Sequence, residues 1–523
     1  MAGRPTLLIV PLTHSDAAAM RAAMDAAVAA GADAVEARLD FLDDASEAAL
    51  RTLLTRPPCP VLATCRSARE GGRHAGTTAQ RLAIAATAAR LGARWVDVEL
   101  ADLGAAGELL AAGPVRDGRT DVIVSSHDFR GRPADLGERL AAMERSEGRI
   151  AKVAFAAAGP EDAWAAFDAL RTGRKPAMAL AMGEAGLASR ILARKFGAFG
   201  TFAALDAAGA SAPGQPTIGD LRGLYRWEAI GPETKVFGVV GCPVGHSMSP
   251  AIHNAAFAAA DVDAVYVPLR VEPDAAAFDR FIDAVLRRPW TDVVGLSVTI
   301  PHKHHAFQRV GAENVDDLSA AIGAINTIRF TGDPDRPLLG INTDYAAALD
   351  ALVDAMACTR EDLRGSAVAV LGAGGAARAI VAALAYYGAE TTIYNRTVAR
   401  AEDLAAEFDS PDGPVRAAGL DRLGRLDADV LINCTPIGMH PHTDACPLPE
   451  STALHPGTVV FDTIYNPVAT RLLRRAEEAG CVTVSGVEMF INQAVAQYAW
   501  WTELNPPADV MRRVVLERLG AGS

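Results

Sequence analysis

The feature that most constrains the fold is a repeated alternation in the first 204 residues. Eight short runs rich in Val, Ile, Leu and Ala alternate with Ala-, Leu- and Arg-rich stretches of helical period. The runs are TLLIVPL, AVEARLD, PVLATCR, RWVDVEL, DVIVSSHDF, RIAKVAF, PAMALAM and AFGTFAA. Eight such units in roughly 220 residues predict a closed (β/α)8 TIM barrel. A doubly wound open sheet is the alternative, although such sheets more often stop at five or six strands.

Several polar residues lie near the carboxyl ends of these runs, the end that carries the chemistry in barrels. They are Glu36, Arg38, Arg66, His127 and Lys152. Each also has a structural explanation: Glu36 and Arg38 as an ion pair, His127 as a rim residue, and Lys152 with its ammonium group extended to solvent. Their convergence on one end of the strands favours a functional site.

Lys152 lies in the run IAKVAFAAAG, whose other residues carry no charge. Burying its ammonium group unpaired would cost several kcal/mol. A lysine of depressed pKa in an apolar pocket is a nucleophile that forms a Schiff base with a ketone. A nearby imidazole can then remove the proton α to the iminium, and loss of a β-hydroxyl completes a dehydration. Arginines around the amine suit a carboxylate on the substrate.

Composition narrows the class of partner. The 523 residues are 50% hydrophobic, and a net charge of −13 argues against nucleic-acid or membrane partners, leaving small-molecule substrates. No run reaches the length of a membrane span, and the N-terminus lacks a small-residue cleavage site. Seven cysteines show no metal-ligand spacing, so we expect no metal and reduced thiols in a cytoplasmic protein.

The alternation changes near residues 226–235, RWEAIGPETK, where we place a domain boundary. The clearest later motif is VAVLGAGGAAR, in which a strand enters a glycine-rich turn and a helix follows. Such turns let the backbone approach a pyrophosphate at the helix N-terminus. The candidate residues are Gly372, Ala373, Gly374, Gly375, Ala376 and Ala377.

The next predicted strand ends in Asn395, Arg396 and Thr397 where a cofactor with a free ribose 2′-OH would favour Asp or Glu. These side chains offer donors to a 2′-phosphate, so NADP is preferred over NAD, although some use of NAD stays open. Lys303 and Asp344 are a candidate acid/base couple. Hydroxyl and amide groups suited to a polyol are Ser247, Ser249, Asn326, Asn342 and Gln493, although SMSP and NTD also read as helix caps and turns.

The motifs EARLD, TCRSAREGG, SSHDF, AKVAF, GLASR and SAPGQ, over about residues 5–226, together resemble the type I 3-dehydroquinate dehydratases. The resemblance implies that Lys152 forms the imine and that His127 is the general acid/base. It also implies a substrate shell of Glu36, Arg38, Arg66, Arg190, Ser211 and Gln215, with Glu70 as a further member.

The motifs GCPVGHSMSPAIHN, GLSVTIPHK, GAINTI, GINTDY, NCTPIGM, DTIYNPVATRLL and GVEMFINQ, with the glycine-rich turn, resemble shikimate dehydrogenase over roughly residues 235–520. The resemblance implies Lys303 and Asp344 as the catalytic pair. Implied substrate contacts are Ser247, Ser249, Thr299, Asn326, Tyr465 and Gln493. Implied NADP contacts are residues 372–377, Asn395, Arg396, Thr397, Arg400, Met439 and Gly486. Tyr345 and Asn492 depart from the common pattern on the substrate side.

Together these resemblances imply a bifunctional enzyme that dehydrates 3-dehydroquinate to 3-dehydroshikimate and reduces that ketone with NADPH to shikimate. We expect a dehydratase barrel at 1–228, a substrate-binding domain at 235–345 completed by helices in 487–523, and a Rossmann NADP domain at 346–486. Two alternatives stay open: a quinate dehydrogenase fused to the dehydratase, and an inactive barrel that serves as a scaffold.

Overall fold

A computed structural model describes residues 5–209 and 214–520 of the chain. Contacts divide the chain into two compact units, Met1–Pro250 with Asp263–Val293, and Ala251–Val262 with Val294–Ser523. Every sheet is accompanied by helices, so the class is α/β. Within the described ranges, none of the helices has the length and apolar character that a membrane crossing requires.

The first eight strands alternate with helices, as the sequence predicts. The strands are β1 (Leu7–Leu12), β2 (Ala34–Arg38), β3 (Val61–Thr64), β4 (Trp95–Glu99), β5 (Asp121–Asp128), β6 (Ile150–Ala156), β7 (Ala177–Met182) and β8 (Gly200–Phe202). The helices are α1 (Ala17–Ala29), α2 (Glu47–Leu54), α3 (Thr78–Arg90), α4 (Gly107–Ala111), α5 (Gly113–Arg116), α6 (Leu136–Arg145), α7 (Glu161–Thr172) and α8 (Leu187–Ile191). Side-chain caps begin several of them, such as Asp16, which accepts the Ala19 N–H at 2.8 Å.

These strands form one parallel sheet in the order β7-β6-β5-β4-β3-β2-β1-β8. The ends of this order approach each other, because the N–H of Phe199, just before β8, donates to the carbonyl of Ala177 in β7 at 2.7 Å. The sheet is therefore a nearly closed barrel, which confirms the prediction and excludes the open doubly wound alternative.

Apolar side chains fill the amino-terminal end of the barrel. Ile9, Leu62, Ile123 and Met178 are fully buried there in one cluster, and Trp95 meets Phe199 edge to face with ring centroids 5.6 Å apart. Because this end is packed with apolar groups, polar inward side chains are confined to the carboxyl end.

The chain after the barrel begins with β9 (Lys235–Gly241), which pairs in parallel with β10 (Ala264–Arg270). The strands β11 (Val293–Val298), β12 (Thr327–Phe330) and β13 (Leu338–Ile341) pair antiparallel. The helices of this segment are α9 (Ser249–Ala259), α10 (Ala275–Leu286), α11 (Lys303–Val310), α12 (Asp317–Ile322) and α13 (Thr343–Met356).

The last sheet has six parallel strands: β14 (Ala367–Leu371), β15 (Glu390–Asn395), β16 (Val415–Gly419), β17 (Val430–Asn433), β18 (Val459–Asp462) and β19 (Val482–Ser485). Its helices are α14 (Gly375–Tyr386), α15 (Val398–Phe408) and α16 (Arg471–Glu478), followed by α17 (Gly486–Thr502) and α18 (Ala508–Arg518). The order β16-β15-β14-β17-β18-β19 reverses direction between β14 and β17. Dinucleotides bind at that switch point in Rossmann folds, and the glycine-rich turn follows β14 there.

Candidate active sites

The carboxyl ends of the barrel strands enclose a cavity of about 110 Å³. Its lining includes side chains from five strands or the residues just after them: Glu36, Arg38, Arg66, His127, Lys152 and Phe202. The convergence expected from the sequence is therefore observed, because inward positions of parallel strands meet at the same level of a barrel.

Lys152 is 4% exposed and lines this cavity. Its Nζ is 3.1 Å from Glu36 Oε1 and 3.9 Å from Asp97 Oδ2, and it lies 4.3 Å above the Phe202 ring centroid. Burial alone would raise the pKa of Glu36, but the charges of Lys152, Arg38 and Arg66 outweigh it and lower that pKa to about 2. The expectation of an apolar pocket is thus corrected: the neighbours in sequence are apolar, but the inward amine faces carboxylates.

Arg66 is held by two side chains, Asp97 and Ser125, that the sequence analysis did not single out. Its guanidinium donates to Asp97 Oδ2 at 2.9 Å and to Ser125 Oγ at 2.7 Å, and Ser125 donates to Asp97 Oδ1 at 2.7 Å. Burial opposes the charge of Arg66, but Asp97 raises its pKa above the ordinary value. The only sequence signal for this support was an aspartate inside the apolar strand WVDVE.

Arg190 and Arg38 add two further guanidinium groups to the cavity. Arg190 is 3% exposed, its Nε has no hydrogen-bond partner in the described structure, and burial lowers its pKa to about 10. Arg38 is held by both oxygens of Asp40, at 2.9 and 2.8 Å. An unpartnered donor in a cavity of this charge fits a carboxylate ligand.

His127 and Glu70 form a second polar pair across the cavity. Glu70 Oε2 accepts the backbone N–H of His127 at 2.9 Å and lies 3.0 Å from its Nδ1. Burial, then the charges of Arg66, Lys152 and Arg38, lower the pKa of His127 well below its ordinary value, so the imidazole is neutral at pH 7. Burial, partly offset by Arg66, raises the pKa of Glu70 to about 7.

The SAPGQ segment, which carries the predicted substrate contacts Ser211 and Gln215, is only partly described. Ser211 lies outside the described residues, whereas Gln215 is described and buried. At Gly214, φ is +68°, and a Cβ there would lie 2.7 Å from the carbonyl carbon of Gly183, in the turn after β7. The loop therefore approaches that turn at a position that only glycine fits.

In the second unit, Lys303 and Asp344 are in direct contact, with Nζ 2.5 Å from Asp344 Oδ2. Asn326 donates from Nδ2 to the other oxygen of Asp344 at 2.9 Å. Asp344 occupies the first turn of α13, where the Asn342 side chain accepts its N–H at 3.0 Å as the helix cap. NTD is thus a helix cap that also brings Asp344 to Lys303, so the structural explanation and the functional one are compatible.

The remaining predicted substrate residues lie on separate elements. Ser249 begins α9 and its N–H donates to Ser247 Oγ at 3.2 Å. Thr299 follows β11 and Gln493 is a half-buried residue of α17. Tyr465 is 40% exposed and stacks on Phe490 with ring centroids 4.7 Å apart. Their contacts with a substrate stay predictions.

The glycine-rich turn fits a dinucleotide. Gly372 has φ +103°, and a Cβ added at Gly374 or Gly375 meets nothing within 4 Å, so open space faces the backbone at the N-terminus of α14. The other residues of this turn are Ala373, Ala376 and Ala377.

At the end of β15, Arg396, Thr397 and Arg400 are exposed, and Asn395 donates to the Thr397 carbonyl at 2.9 Å. Met439 is 46% exposed. Gly486 begins α17 so close to the residues that follow β18 that a Cβ would lie 2.4 Å from the Thr463 carbonyl oxygen. Exposed cations beside open glycines suit a phosphate-bearing cofactor.

Family models match successive parts of the chain. A family model described as type I 3-dehydroquinase matches residues 8–232. Models described as shikimate dehydrogenase substrate binding domain, shikimate / quinate 5-dehydrogenase and shikimate 5'-dehydrogenase C-terminal domain match residues 239–328, 355–439 and 486–516.

Relatives match either nearly the whole chain or about half of it. The chloroplastic bifunctional 3-dehydroquinate dehydratase/shikimate dehydrogenase of Arabidopsis thaliana is 37% identical over 524 residues, which covers 98% of this chain and 84% of the relative. A shikimate dehydrogenase (NADP(+)) of Methanosarcina mazei is 44% identical over 291 residues, 55% of this chain and 99% of that relative. A crystal structure of a shikimate dehydrogenase with NADP+ is 35% identical, with a TM-score of 0.49, over 55% of this chain and 96% of that one. The identity over nearly the whole length shows that the chain belongs to the family of bifunctional 3-dehydroquinate dehydratase/shikimate dehydrogenases.

Proposed function

We propose that the barrel dehydrates 3-dehydroquinate to 3-dehydroshikimate and that the second half of the chain reduces this ketone to shikimate with NADPH. The observation that carries the proposal is the presence of two polar sites on one chain, Lys152 with His127 in the barrel and Lys303 with Asp344 beyond it. A scaffold barrel or a quinate dehydrogenase is not favoured, since the whole-length relative carries both activities in its name.

In the barrel, the Nζ of Lys152 attacks the ring ketone and water leaves as the imine forms. Glu36, whose Oε1 lies 3.1 Å from Nζ, holds the amine in place for this attack. Phe202 excludes water from one side of the amine. The protonated imine then withdraws electrons from the neighbouring ring carbon.

His127 is the base that removes the proton from that carbon. Its Nδ1 faces Glu70, which leaves Nε2 for the substrate, and its lowered pKa keeps it neutral and able to accept. The electron pair forms the ring double bond as the β-hydroxyl departs with a proton from the imidazolium. Water then hydrolyses the imine, which releases product and regenerates Lys152.

The arginines orient the substrate. The unpartnered Nε of Arg190 and the guanidinium of Arg66, both in the lining of the cavity, are suited to the carboxylate of the substrate. Arg66 is fixed by Asp97 and Ser125, so little rotamer entropy is lost on binding.

In the second half, Lys303 donates a proton to the ketone oxygen and Asp344 keeps the ammonium oriented toward it. NADPH, when bound, supplies the hydride to the ketone carbon. The side chain of Lys303 is 33% exposed, so solvent can restore its proton after turnover. Thr299, Ser247, Ser249, Tyr465 and Gln493 are proposed to bind the ring hydroxyls and the carboxylate; Asn326 holds Asp344.

We further propose that the cofactor is NADP rather than NAD, because Arg396 and Arg400 are exposed cations suited to a 2′-phosphate. Further residues proposed to contact the cofactor are Asn395, Thr397, Met439 and Gly486. The domain limits remain those given above, 1–228, 235–345 with 487–523, and 346–486. A cytoplasmic enzyme without metal, nucleic-acid or membrane partners agrees with a net charge of −13 and with the seven cysteines being free thiols in the described residues.

The test supplies purified protein with 3-dehydroquinate and NADPH as the only reactants, follows NADPH absorbance, and identifies the product by chromatography. Shikimate is expected, because both sites must act in sequence. Quinate as the product would replace the reductase assignment. No turnover until 3-dehydroshikimate is added would show an inactive barrel. Borohydride treatment with 3-dehydroquinate should attach the ring to Lys152, which mass spectrometry of peptides detects.

A further inference from the structure

A short helix, α12, lies between the cofactor-binding turn and the Lys303–Asp344 pair. We use the term α12 segment for residues 316–326, which comprise the N-cap of α12, the helix itself and the four residues after it. Leu318 and Ile322 of α12 belong to the same buried cluster as Ala377 and Ile380 of α14. The α12 segment is therefore packed against the helix that begins at the glycine-rich turn.

One polar contact joins these two helices. Arg378, in the first turns of α14, donates from Nε to the carbonyl of Ile322 at 2.7 Å, at the end of α12. The outer nitrogens of the same guanidinium bind both carboxylate oxygens of Glu407. Arg378 thus satisfies a terminal carbonyl of α12 that the helix itself cannot.

The last residues of the α12 segment contact both Lys303 and Asp344. The N–H of Ile325 donates to the carbonyl of Lys303 at 3.0 Å, and Asn326 donates to Asp344 Oδ1 at 2.9 Å. His304 also donates from Nδ1 to the Gly323 carbonyl at 2.9 Å. The start of α11 and the side chain of Asp344 are therefore located by three residues of the segment, Gly323, Ile325 and Asn326.

The N-terminal end of the segment is joined to α13. Tyr345, next to Asp344, donates to Asp316 Oδ1 at 3.2 Å, and Asp316 also accepts from Ser319 at 2.5 Å. Ser319 Oγ in turn accepts the N–H of Asn342 at 2.9 Å. Tyr345 thereby fixes the start of the helix that carries Asp344, which gives a physical role to a residue that departs from the common sequence pattern.

We propose that Arg378 and Tyr345 are positioning residues for the reductase, which act through the α12 segment to hold the Lys303–Asp344 pair in register with the cofactor turn. Neither needs to touch substrate or cofactor. Arg378 sets the position of the segment against α14, and Tyr345 sets the position of α13 against the segment. The proposal rests on the proposed reduction, since it concerns the geometry of that step.

The experiment uses the full chain and measures reduction of 3-dehydroshikimate with NADPH, with dehydration of 3-dehydroquinate by the same preparation as the folding control. Arg378→Met should lower kcat about tenfold or more, because small displacements of reacting groups are costly, while KM for NADPH and the dehydratase rate stay unchanged. Arg378→Lys, which keeps a donor, should recover part of kcat. The matched control is Glu407→Gln, which leaves the Nε bond to Ile322 and should retain wild-type kcat.

Tyr345→Phe tests the other end of the segment and keeps the proposal open to refutation if Arg378→Met fails to fold. It should lower kcat several-fold at constant KM for NADPH. The double variant should lose less than the product of the two single effects, because both loosen the same segment.

Unchanged kcat in Arg378→Met or Tyr345→Phe would overturn the proposal. A rise in KM for NADPH without a change in kcat in either variant would also overturn it, as would a loss of kcat in Glu407→Gln equal to that in Arg378→Met. A wild-type chain that makes no shikimate would instead refute the proposed function, so the two failures are distinguishable.

Discussion

Replacing Glu70 by Gln should weaken the dehydratase and at the same time stabilise the fold at alkaline pH. Glu70 Oε2 accepts two hydrogen bonds from His127, one from the backbone N–H at 2.9 Å and one from Nδ1 at 3.0 Å. A carboxylate acceptor contributes about 1 kcal/mol more than a neutral one, so the amide should lower kcat of dehydration about fivefold to tenfold. The reductase of the same chain is the internal control.

The stability change follows from the raised pKa of Glu70. Burial, opposed by Arg66, raises that pKa from 4.5 to about 7. A carboxyl group whose folded pKa is raised stabilises the fold below its unfolded pKa, and this contribution is lost as pH rises through 7. At 1.36 kcal/mol for each pKa unit, the ionised group costs the fold up to about 3 kcal/mol at pH 8.

The assay compares wild type and Glu70→Gln by urea unfolding between pH 4 and pH 8, together with the pH dependence of kcat/KM for dehydration. The variant should match wild type at pH 4 and be more stable at pH 8. The wild-type rate should rise as pH increases through about 7, because ionised Glu70 is the better acceptor, and the variant should lack this rise. Equal stability at pH 8, or an unchanged pH profile, would refute the reasoning.

Lys152→Ala should abolish dehydration and preserve reduction. Asp344→Asn should lower reductase kcat by a factor on the order of a hundred and preserve dehydration. Each variant is tested in two separate assays, and loss of both rates would contradict the assignment of one activity to each half of the chain. Arg396→Ala should raise KM for NADPH about tenfold and leave KM for NADH unchanged, since only NADPH carries the 2′-phosphate. Gly486→Ala should lower the melting temperature, because its Cβ would lie 2.4 Å from the Thr463 carbonyl oxygen; an unchanged melting temperature would contradict that clash.

The residues that we propose as catalytic were recognisable from the sequence because they lie in local patterns. His127 and Lys152 each interrupt a buried strand, and the spacing of eight such strands is enough to predict a barrel and the end at which polar groups meet. The turn at Gly372 requires a positive φ and a following helix, both of which short motifs encode. Local backbone preferences and strand or helix period therefore determined the fold class and the order of the two halves.

Which side chains touch was decided by the tertiary structure alone. Glu70 meets His127 across 57 residues, and Arg378 meets Ile322 across 56. The stagger of a barrel and the packing of α12 on α14 set these pairings, and neither leaves a spacing in the sequence. The polar surroundings of Lys152 likewise arise because inward side chains of neighbouring strands meet at one level, which a strand's own apolar run cannot indicate.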